Sequence, residues 1–268
     1  MSEKRNIVNI RNLSDKDVNK TVDIYGEIQI AKKSNNGQQY FAVSVKDKTG
    51  TGFINVFSED NETINLLKYI RNGDMVILNT TIEGFNKEKN NVFFKKINSA
   101  SLVVGNGKYI LPDLQNYVTE EIKKISDERY KKFIADLLAA NQNFWIVPAF
   151  DLEAFNYKGG LVCYAAKMLK FLDANKNAIE FGNLDLYKAM IFAKHSGNCM
   201  VRKEGNDLVF VNTGEKINAD FKSLSLINSV KFIDKDPSVL ACCTDNTLSS
   251  FEASRIEIVE KLINTKAE

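Results

Sequence analysis

Hydrophobic and polar residues alternate over much of the first hundred positions, as they do in strands with one buried face. Thr21–Ala31, for example, places Val22, Ile24, Ile28 and Ile30 at every second or fourth position. Turn-rich stretches separate such segments, and a short helix with Asn61 as its cap is predicted over Asn61–Ile70. The other predicted strands are Gln39–Val45, Gly52–Phe57, Met75–Ile82 and Asn91–Val103.

Beyond residue 116 the apolar spacing becomes helical. Thr119–Asn141 carries an apolar stripe, and further helices are predicted at about 160–174, 185–195, 219–231 and 249–264. Residues 104–116 contain two glycines and a proline and predict a linker. The sequence therefore predicts an α+β multidomain chain, with a β domain at 1–103, a linker at 104–116 and an all-α domain at 117–268.

The order of the predicted elements is strand, strand, strand, short helix, strand, strand. This is the order of a five-stranded OB β-barrel, and a small SH3-like barrel is the alternative. OB barrels bind single-stranded nucleic acid across strands two and three, flanked by the loops that join strands one to two and four to five.

Alternation directs Phe41, Val43 and Val45 towards the barrel core and turns the neighbouring positions outwards. Tyr40 and Phe53 are the candidates for base stacking; the alternative is that they pack against the helical domain or a partner chain. Phe57 is expected to be covered by the short helix. The full set of candidate nucleic-acid-binding residues is Lys32 and Lys33 on the first loop, Tyr40 and Lys46 on strand two, Phe53 and Asn55 on strand three, and Phe85, Lys87 and Lys89 on the second loop.

Charge is unevenly distributed along the chain. Residues 1–112 carry 16 Lys and Arg against 12 Asp and Glu, a net charge of +4, whereas residues 113–268 carry 20 against 22, a net charge of −2. A basic first half fits a nucleic-acid-binding module, although ordinary surface charge explains it almost as well. The chain contains no apolar run of 18 residues and does not begin like a secretory signal, so we expect a cytoplasmic protein without membrane contact.

Histidine and cysteine limit the chemistry that the chain can perform. His195 is the only histidine, which excludes sites that need two imidazoles. A zinc site would require His195 and the four cysteines, Cys163, Cys199, Cys242 and Cys243, to converge from distant positions. Reduced, buried thiols are the expected state, and we expect no metal and no cofactor.

Several segments resemble the YhaM-type 3′→5′ exoribonucleases, in which an OB-fold precedes an HD hydrolase domain. "VKDKTGTGFINVF" and "IRNGDMVILNTTI" are similar to strand-and-turn passages of their OB-fold, which also resembles that of tRNA-anticodon-binding domains. "FWIVPAFDLEAFNYKGGLVCYAAKMLKFLDA", "NLDLYKAMIFAKHSGN" and "SSFEASRIEIVEKLIN" resemble, in the same order, the segments that carry metal ligands in that family. The resemblance spans most of the chain.

The resemblance also implies that those ligands are lost. Ala154 and Phe155 replace a His-His pair, Tyr164 replaces a histidine, Lys194-His195 replaces a His-Asp doublet, and Glu260 stands at a late aspartate. Alanine and phenylalanine cannot bind a cation, and a lysine ammonium repels one. The expectation is a degenerate HD domain, hence a pseudoenzyme. The alternative is an unrelated helical domain in which His195 is a polar residue at a helix end.

Three functional hypotheses follow. The first is a non-catalytic adaptor that binds single-stranded DNA or RNA within a replication, transcription or RNA-processing assembly, with protein partners there. The second is an active metal-dependent 3′→5′ exonuclease that uses Asp151, Glu153, Asp220 or Glu260. The third is an OB-fold that has become a protein-interaction module. The resemblance also implies a homo-oligomer, and the abundance of Asn, Lys and Ile suggests a low-GC bacterium or its phage.

Overall fold

The computed structural model describes residues 5–35, 37–105, 107–176, 183–233, 236–244 and 256–261. The chain divides into two compact units, residues 1–112 and residues 113–268. The first is built mainly of strands and the second mainly of helices, which makes the protein α+β. Within the described residues, no helix combines the length and the hydropathy needed to cross a bilayer.

The amino-terminal unit is organised around a sheet of six strands in the order β3-β2-β1-β4-β5-β6. Consecutive neighbours in this order are antiparallel, and β3 also pairs in parallel with β5 through Thr51–Phe53 and Asn91–Phe93. The strands are β1 (Thr21–Asn35), β2 (Gln38–Lys46), β3 (Thr51–Phe57), β4 (Met75–Asn86), β5 (Asn91–Val104) and β6 (Tyr109–Ile110), and helix α1 (Asn61–Leu66) lies between β3 and β4 in sequence.

One face of this sheet forms a hydrophobic core. Ile24, Ile28, Val45, Leu78 and Ile97 are fully buried in it, as the alternation predicts. Close packing against this face requires glycine at position 52. A Cβ atom there would lie 1.9 Å from the ring of Phe94, so any side chain would displace that ring.

The first five strands lie where the alternation predicts them, but each is longer than expected, and β4 runs to Asn86 rather than ending at Ile82. β1 continues to Asn35 and β2 begins at Gln38, with Asn35 paired to Gln38. Helix α1 is capped by Asp60, which accepts a hydrogen bond from the Thr63 amide, rather than by Asn61. Residues 104–116, the predicted linker, include β6 and the beginning of the next helix.

The carboxyl-terminal unit consists mainly of helices. They are α2 (Leu111–Lys123), which begins in the first unit, α3 (Glu128–Ala140), α4 (Gly160–Asn175), α5 (Leu184–Lys194), α6 (Phe221–Val230) and α7 (Pro237–Ala241), and residues 256–261 are also helical. Helices α4, α5 and α6 lie within one or two residues of their predicted bounds. The rest of the helix predicted at 249–264 lies outside the described residues.

The single helix predicted over Thr119–Asn141 is wrong, because the chain breaks between α2 and α3. One carboxylate oxygen of Asp185 accepts hydrogen bonds from the backbone amides of Ser126 and Asp127 and from the Ser126 hydroxyl, at 2.7–2.9 Å. Asp127 then caps α3 by accepting from the Arg129 amide. The break depends on a partner 58 residues away, which the local pattern does not reveal.

The prediction that this unit is all-α is also wrong. Strands β7 (Val201–Glu204) and β8 (Asp207–Phe210) form an antiparallel hairpin. The turn between them contains Gly205 in the left-handed region, with φ of +60°. Gly205-Asn206 is a two-residue hairpin signal, but the strand before it, Val201–Glu204, is largely charged and shows no alternation.

Candidate functional site

Four aromatic side chains lie on the outer surface of the amino-terminal sheet. Tyr40 comes from β2, Phe53 and Phe57 from β3, and Phe93 from β5; we call this set the aromatic face. Phe53, Phe57 and Phe93 are exposed and Tyr40 is half-buried. Phe53 and Phe57 share a side because they are four residues apart on one strand.

The aromatic face is arranged as two pairs. Tyr40 lies opposite Phe57, with ring centroids 5.9 Å apart, and Phe53 lies beside Phe93, with centroids 6.3 Å apart. Between the pairs, Asn55 lies opposite the small residue Ala42. Four residues of a strand separate the pairs by about 13 Å. A shallow groove of about 440 Å³ runs past Phe53, Phe57 and Phe93.

Lysines accompany the aromatic face, but carboxylates do so too. Lys33 lies opposite Tyr40 on β1, Lys46 ends the outward row of β2, and Lys95 lines the groove. Glu83 also lines the groove, and Glu27 lies opposite Lys46. The surface is therefore mixed in charge, and the aromatic rings are its most distinctive feature.

The predicted nucleic-acid-binding residues do not all lie together. Tyr40, Lys46, Phe53 and Asn55 occupy the outer surface of β2 and β3 as predicted, and Phe57, which was expected to be covered, is 43% exposed. Phe93 and Lys95 were missed, because only the parallel β3–β5 pairing brings Phe93 beside Phe53, and Lys95 lines the same groove further along β5.

The two loop predictions need correction. Lys32 and Lys33 lie on the paired part of β1 rather than on a loop, because the hairpin is longer than expected. Asn36, which belongs to the loop predicted there, lies outside the described residues. Phe85 lies on β4 and packs against the core, so it is not a free stacking surface. Lys87 and Lys89 lie on an exposed 3₁₀ turn, where Lys87 pairs with Asp15 at 2.5 Å.

A second cluster lies inside the carboxyl-terminal unit and consists of Asp151, Lys194, His195 and Glu260, which we call the buried ionic cluster. His195 Nδ1 contacts Asp151 Oδ2 at 2.6 Å and its Nε2 contacts Glu260 Oε1. Lys194 Nζ lies 2.5 Å from the other oxygen of Glu260. Three of the four side chains are less than a tenth exposed, and that of Asp151 is 18% exposed.

The opposite charges in the buried ionic cluster stabilise one another's ionised forms. Burial opposes the cationic form of His195, but the charges and hydrogen bonds of Asp151 and Glu260 outweigh it and raise the pKa of His195 to about 9. Burial also acts to raise the pKa of Glu260, yet His195 and Lys194 lower it to about 2. Near neutral pH the cluster therefore holds two carboxylates and two cations.

The residues predicted at degenerate ligand positions meet at this cluster. The ring of Tyr164 packs edge-on against His195, with centroids 4.8 Å apart, and Phe155 packs edge-on against Tyr164 at 5.8 Å. Burial and the charge of Glu260 raise the pKa of Tyr164 well above its usual value, so its hydroxyl stays neutral. Ala154 lies half-buried beside Phe155 on a 3₁₀ turn.

Local structure explains how these residues come together. Gly159 adopts φ of +76°, and a Cβ on Gly160 would lie 1.7 Å from the Phe155 carbonyl oxygen, so α4 can begin against that turn only with glycines. Asn198 fixes Asp151 from the other side by donating from Nδ2 to Asp151 Oδ1 at 2.6 Å. Asp151 was predicted only as one of four carboxylates of an active exonuclease, and its contact with His195 was not predicted.

The buried ionic cluster is poorly arranged to bind a metal. Both ring nitrogens of His195 are used by carboxylates, and the Lys194 ammonium occupies one side of Glu260. Among the residues that the structure describes, no group of three or more His, Cys, Asp or Glu side chains could hold a metal ion. All four cysteines are buried and free, and Cys242 and Cys243 lie beside each other with sulfur atoms 3.9 Å apart.

Comparison with known proteins assigns no family to this chain. No protein-family model matches the chain, and no curated protein sequence matches it. The solution structure of a replication factor A related protein from Methanobacterium thermoautotrophicum is similar at 18% identity, covering 38% of this chain and 96% of that chain, with a TM-score of 0.27. A TM-score this low does not establish a common fold.

Proposed function

We propose that the aromatic face binds single-stranded DNA or RNA and that residues 1–112 form an OB-fold. The observation that carries this proposal is the pairing of exposed rings, Tyr40 with Phe57 and Phe53 with Phe93, on one side of the sheet. Exposed aromatic rings on a sheet are stacking platforms for unpaired bases, which all have a π face. Two pairs about 13 Å apart offer positions for two bases of one strand.

The strand connections support the OB-fold. The pairings β3–β2, β2–β1, β1–β4, β4–β5 and β5–β3 form a continuous ring of five strands, with α1 between β3 and β4 in sequence. An OB-fold has five strands in this order of connection, and its second and third strands carry the ligand. The aromatic face lies on β2, β3 and β5, which agrees with that use.

For residues 113–268 we propose an HD-like domain of the YhaM type that has lost its hydrolytic function. The support is that Phe155, Tyr164, Lys194, His195 and Glu260 meet at one place although they are widely separated in sequence. An ammonium beside Glu260 supplies positive charge where a metal-binding relative would hold a cation. The whole chain then acts as a non-catalytic adaptor of a nucleic-acid-processing assembly.

The binding proposal is tested by fluorescence anisotropy with labelled single-stranded DNA and RNA. We expect Phe53→Ala and Tyr40→Ala each to weaken binding about tenfold, the usual loss for one stacked base. Tyr69→Ala is the matched control, because Tyr69 is 48% exposed in the same unit but lies outside the aromatic face. Its affinity should equal that of the wild type. Equal affinity of all four proteins would refute the aromatic face as the binding site.

The loss of hydrolysis is tested on the same samples. Each oligonucleotide is incubated with the protein in EDTA or in manganese and then examined on a denaturing gel. Intact oligonucleotide in both conditions supports the adaptor. Manganese-dependent shortening that disappears in Asp151→Asn and Glu260→Gln would instead establish the exonuclease. Failure to bind any oligonucleotide, together with stable association with itself or another protein, would indicate a protein-interaction module.

A further inference from the structure

A separate cleft of about 480 Å³ lies in the carboxyl-terminal unit. Its walls include Asn141, Asn143 and Asn228, together with the rings of Phe210 and Phe232. Pockets of about 300–1,000 Å³ with apolar walls and a few well-placed polar groups are typical binding sites for small organic molecules. The polar groups of this cleft show which kind of molecule would fit.

The three amides are held in defined orientations. Asn141, Asn143 and Asn228 each donate from Nδ2 to a backbone carbonyl, at 2.7, 2.7 and 3.0 Å respectively. An amide whose nitrogen is bound to a carbonyl has its oxygen assigned by that bond. Each amide therefore keeps its oxygen as an acceptor and has one further N–H left on its nitrogen.

Two of these oxygens are only weakly used within the protein. Asn141 and Asn228 face each other, and the two nitrogen-to-oxygen distances between their amides are 3.5 and 3.4 Å. Such distances are at the long limit for hydrogen bonds, whose usual length is about 2.9 Å. Asn228 is only 4% exposed, so its oxygen is largely shielded from bulk water. A ligand N–H that replaced either of these long contacts would make a shorter hydrogen bond to the amide oxygen.

The helices add to the acceptor character of the cleft. Helix α3 ends at Ala140 and α6 ends at Val230, and the residues that follow them, Asn141 and Lys231, both line the cleft. The last carbonyls of a helix lack partners within the helix, and its carboxyl end carries a partial negative charge. Two such ends at one cleft favour a ligand that donates hydrogen bonds.

We propose that this cleft binds a nucleobase that carries an exocyclic amino group, as part of a nucleoside or nucleotide. The amino N–H groups would donate to the oxygens of Asn141 and Asn228. The planar ring would pack against Phe210 and Phe232, whose side chains line the apolar part of the cleft. The wall also contains Lys231, which would attract the phosphate of a nucleotide, and Glu215, which would repel it.

Isothermal titration calorimetry of the full chain with adenosine and with purine riboside, which lacks the amino group, tests the proposal. We expect saturable binding of adenosine with a Kd below about 1 mM. Purine riboside should bind at least about tenfold more weakly, the loss for one hydrogen-bonding group. A parallel titration with adenosine 5′-monophosphate separates the two sources: tighter binding that is lost in Lys231→Ala identifies a nucleotide, and equal binding identifies a nucleoside.

Two variants locate the site. Asn141→Leu and Phe232→Ala should each weaken adenosine binding about tenfold. Asn156→Ala, at an exposed asparagine outside the cleft wall, is the matched control and should bind like the wild type. Circular dichroism establishes that each variant is folded. No saturable binding of adenosine, equal affinity for purine riboside, or unchanged affinity in both folded cleft variants would overturn the proposal.

Failure of adenosine binding at the cleft is distinguishable from failure of oligonucleotide binding at the aromatic face. Phe232→Ala leaves the amino-terminal sheet unchanged, so oligonucleotide anisotropy should stay at the wild-type value. Conversely, Phe53→Ala should leave adenosine binding intact. Loss of both activities in either variant would show that the cleft is not an independent site and would overturn the proposal.

Discussion

At the scale of single residues, the buried ionic cluster depends on two cations that lie next to each other in sequence. Lys194 and His195 end helix α5, and both contact the same carboxylate, Glu260. Charges that are removed from water are costly unless each has partners nearby. The arrangement satisfies this requirement with protein side chains. The free energy of unfolding should therefore depend on pH and on replacement of either Lys194 or His195.

The first prediction concerns alkaline pH. The pKa of His195 is raised from 6.5 to about 9, so the stabilisation from its protonation is complete below pH 6.5 and is lost as the pH rises through 9. We expect the free energy of unfolding of this unit to fall by on the order of 3 kcal/mol over that range. Urea titrations followed by the fluorescence of Trp145, the only tryptophan, measure it.

The matched comparison is His195→Gln, which should remove most of the pH dependence. A hydrogen bond from Cys242 lowers the pKa of the Cys243 thiol, so its ionisation contributes to stability with the opposite sign. Both proteins are therefore measured in a Cys243→Ser background. A wild-type stability that stays constant or rises from pH 6.5 to 9 would contradict the assignment.

The second prediction removes one cation. Lys194→Met leaves a side chain of similar length but deprives Glu260 of its ammonium partner, and breaking a buried ion pair costs about 3 kcal/mol or more. Urea unfolding at pH 7 measures the loss. Lys123→Met is the control, since Lys123 and its partner Glu120 are both more than 60% exposed and such pairs contribute about 1 kcal/mol or less. Similar losses in the two variants would argue against the cluster.

At the scale of elements, the break between α2 and α3 is held by a side chain from another helix. Asp185 lies in the first turn of α5. Its carboxylate accepts hydrogen bonds from the backbone amides of Ser126 and Asp127, which lie in the connection between α2 and α3. Carboxylates that accept backbone amides are favoured at such positions because they satisfy donors that the helix leaves unpaired. This contact fixes α3 against α5.

The third prediction follows from that contact. Asp185→Ala leaves the amides of Ser126 and Asp127 without their acceptor, and we expect a loss of about 2 kcal/mol in the free energy of unfolding. Asp173→Ala, which removes only an exposed pair with Lys176, should change it by less than about 1 kcal/mol. Both are measured by urea unfolding at pH 7. An Asp185→Ala protein as stable as the Asp173→Ala protein would show that the junction holds without this carboxylate.

At the scale of the whole molecule, the net charge of +2 conceals a basic amino-terminal half. Around the aromatic face the basic residues are Lys33, Lys46 and Lys95, and the acidic residues Glu27 and Glu83 lie close by. Binding at this surface should therefore depend more on stacking than on phosphate contacts, and its dependence on salt should be modest.

The fourth prediction is the slope of log affinity against log salt concentration. Three phosphate contacts give a slope of about −2 for a single strand. The double variant Lys33→Ala, Lys95→Ala should reduce its magnitude by about 1.4 units. Lys96→Ala is the control, because the Lys96 side chain binds Glu62 instead. Anisotropy titrations at several salt concentrations provide the slope, and a slope steeper than about −5 would show that lysines outside this surface dominate.

Much of the fold was predictable because its signals are local. The first five strands, α4, α5 and α6 all follow from apolar spacing and turn residues, which act over a few positions. The hairpin β7–β8 was signalled only by its turn residues, Gly205 and Asn206. The break between α2 and α3 was not, since it rests on Asp185 from another helix.

The residues of the candidate sites likewise include some that local sequence predicted and some that it did not. Alternation alone placed Tyr40, Phe53 and Asn55 on the outer surface, because successive side chains of a strand point to opposite sides. It could not supply Phe93, which joins them through a pairing between strands that are not neighbours in sequence. The resemblance marked Tyr164, Lys194, His195 and Glu260, but not that Asp151 completes their charge balance.

The sequence by itself determined the first five strands, helices α4, α5 and α6, the outward direction of Tyr40 and Phe53, and the exclusion of any site with two imidazoles. Only the tertiary structure decided that Phe93 lies beside Phe53, that Phe85 packs inward and that His195 is held between two carboxylates. The physical reason is the separation along the chain of the residues that each interaction joins. Side-chain periodicity acts between neighbouring residues, whereas ion pairs and strand pairings join residues that only folding brings within a few ångströms.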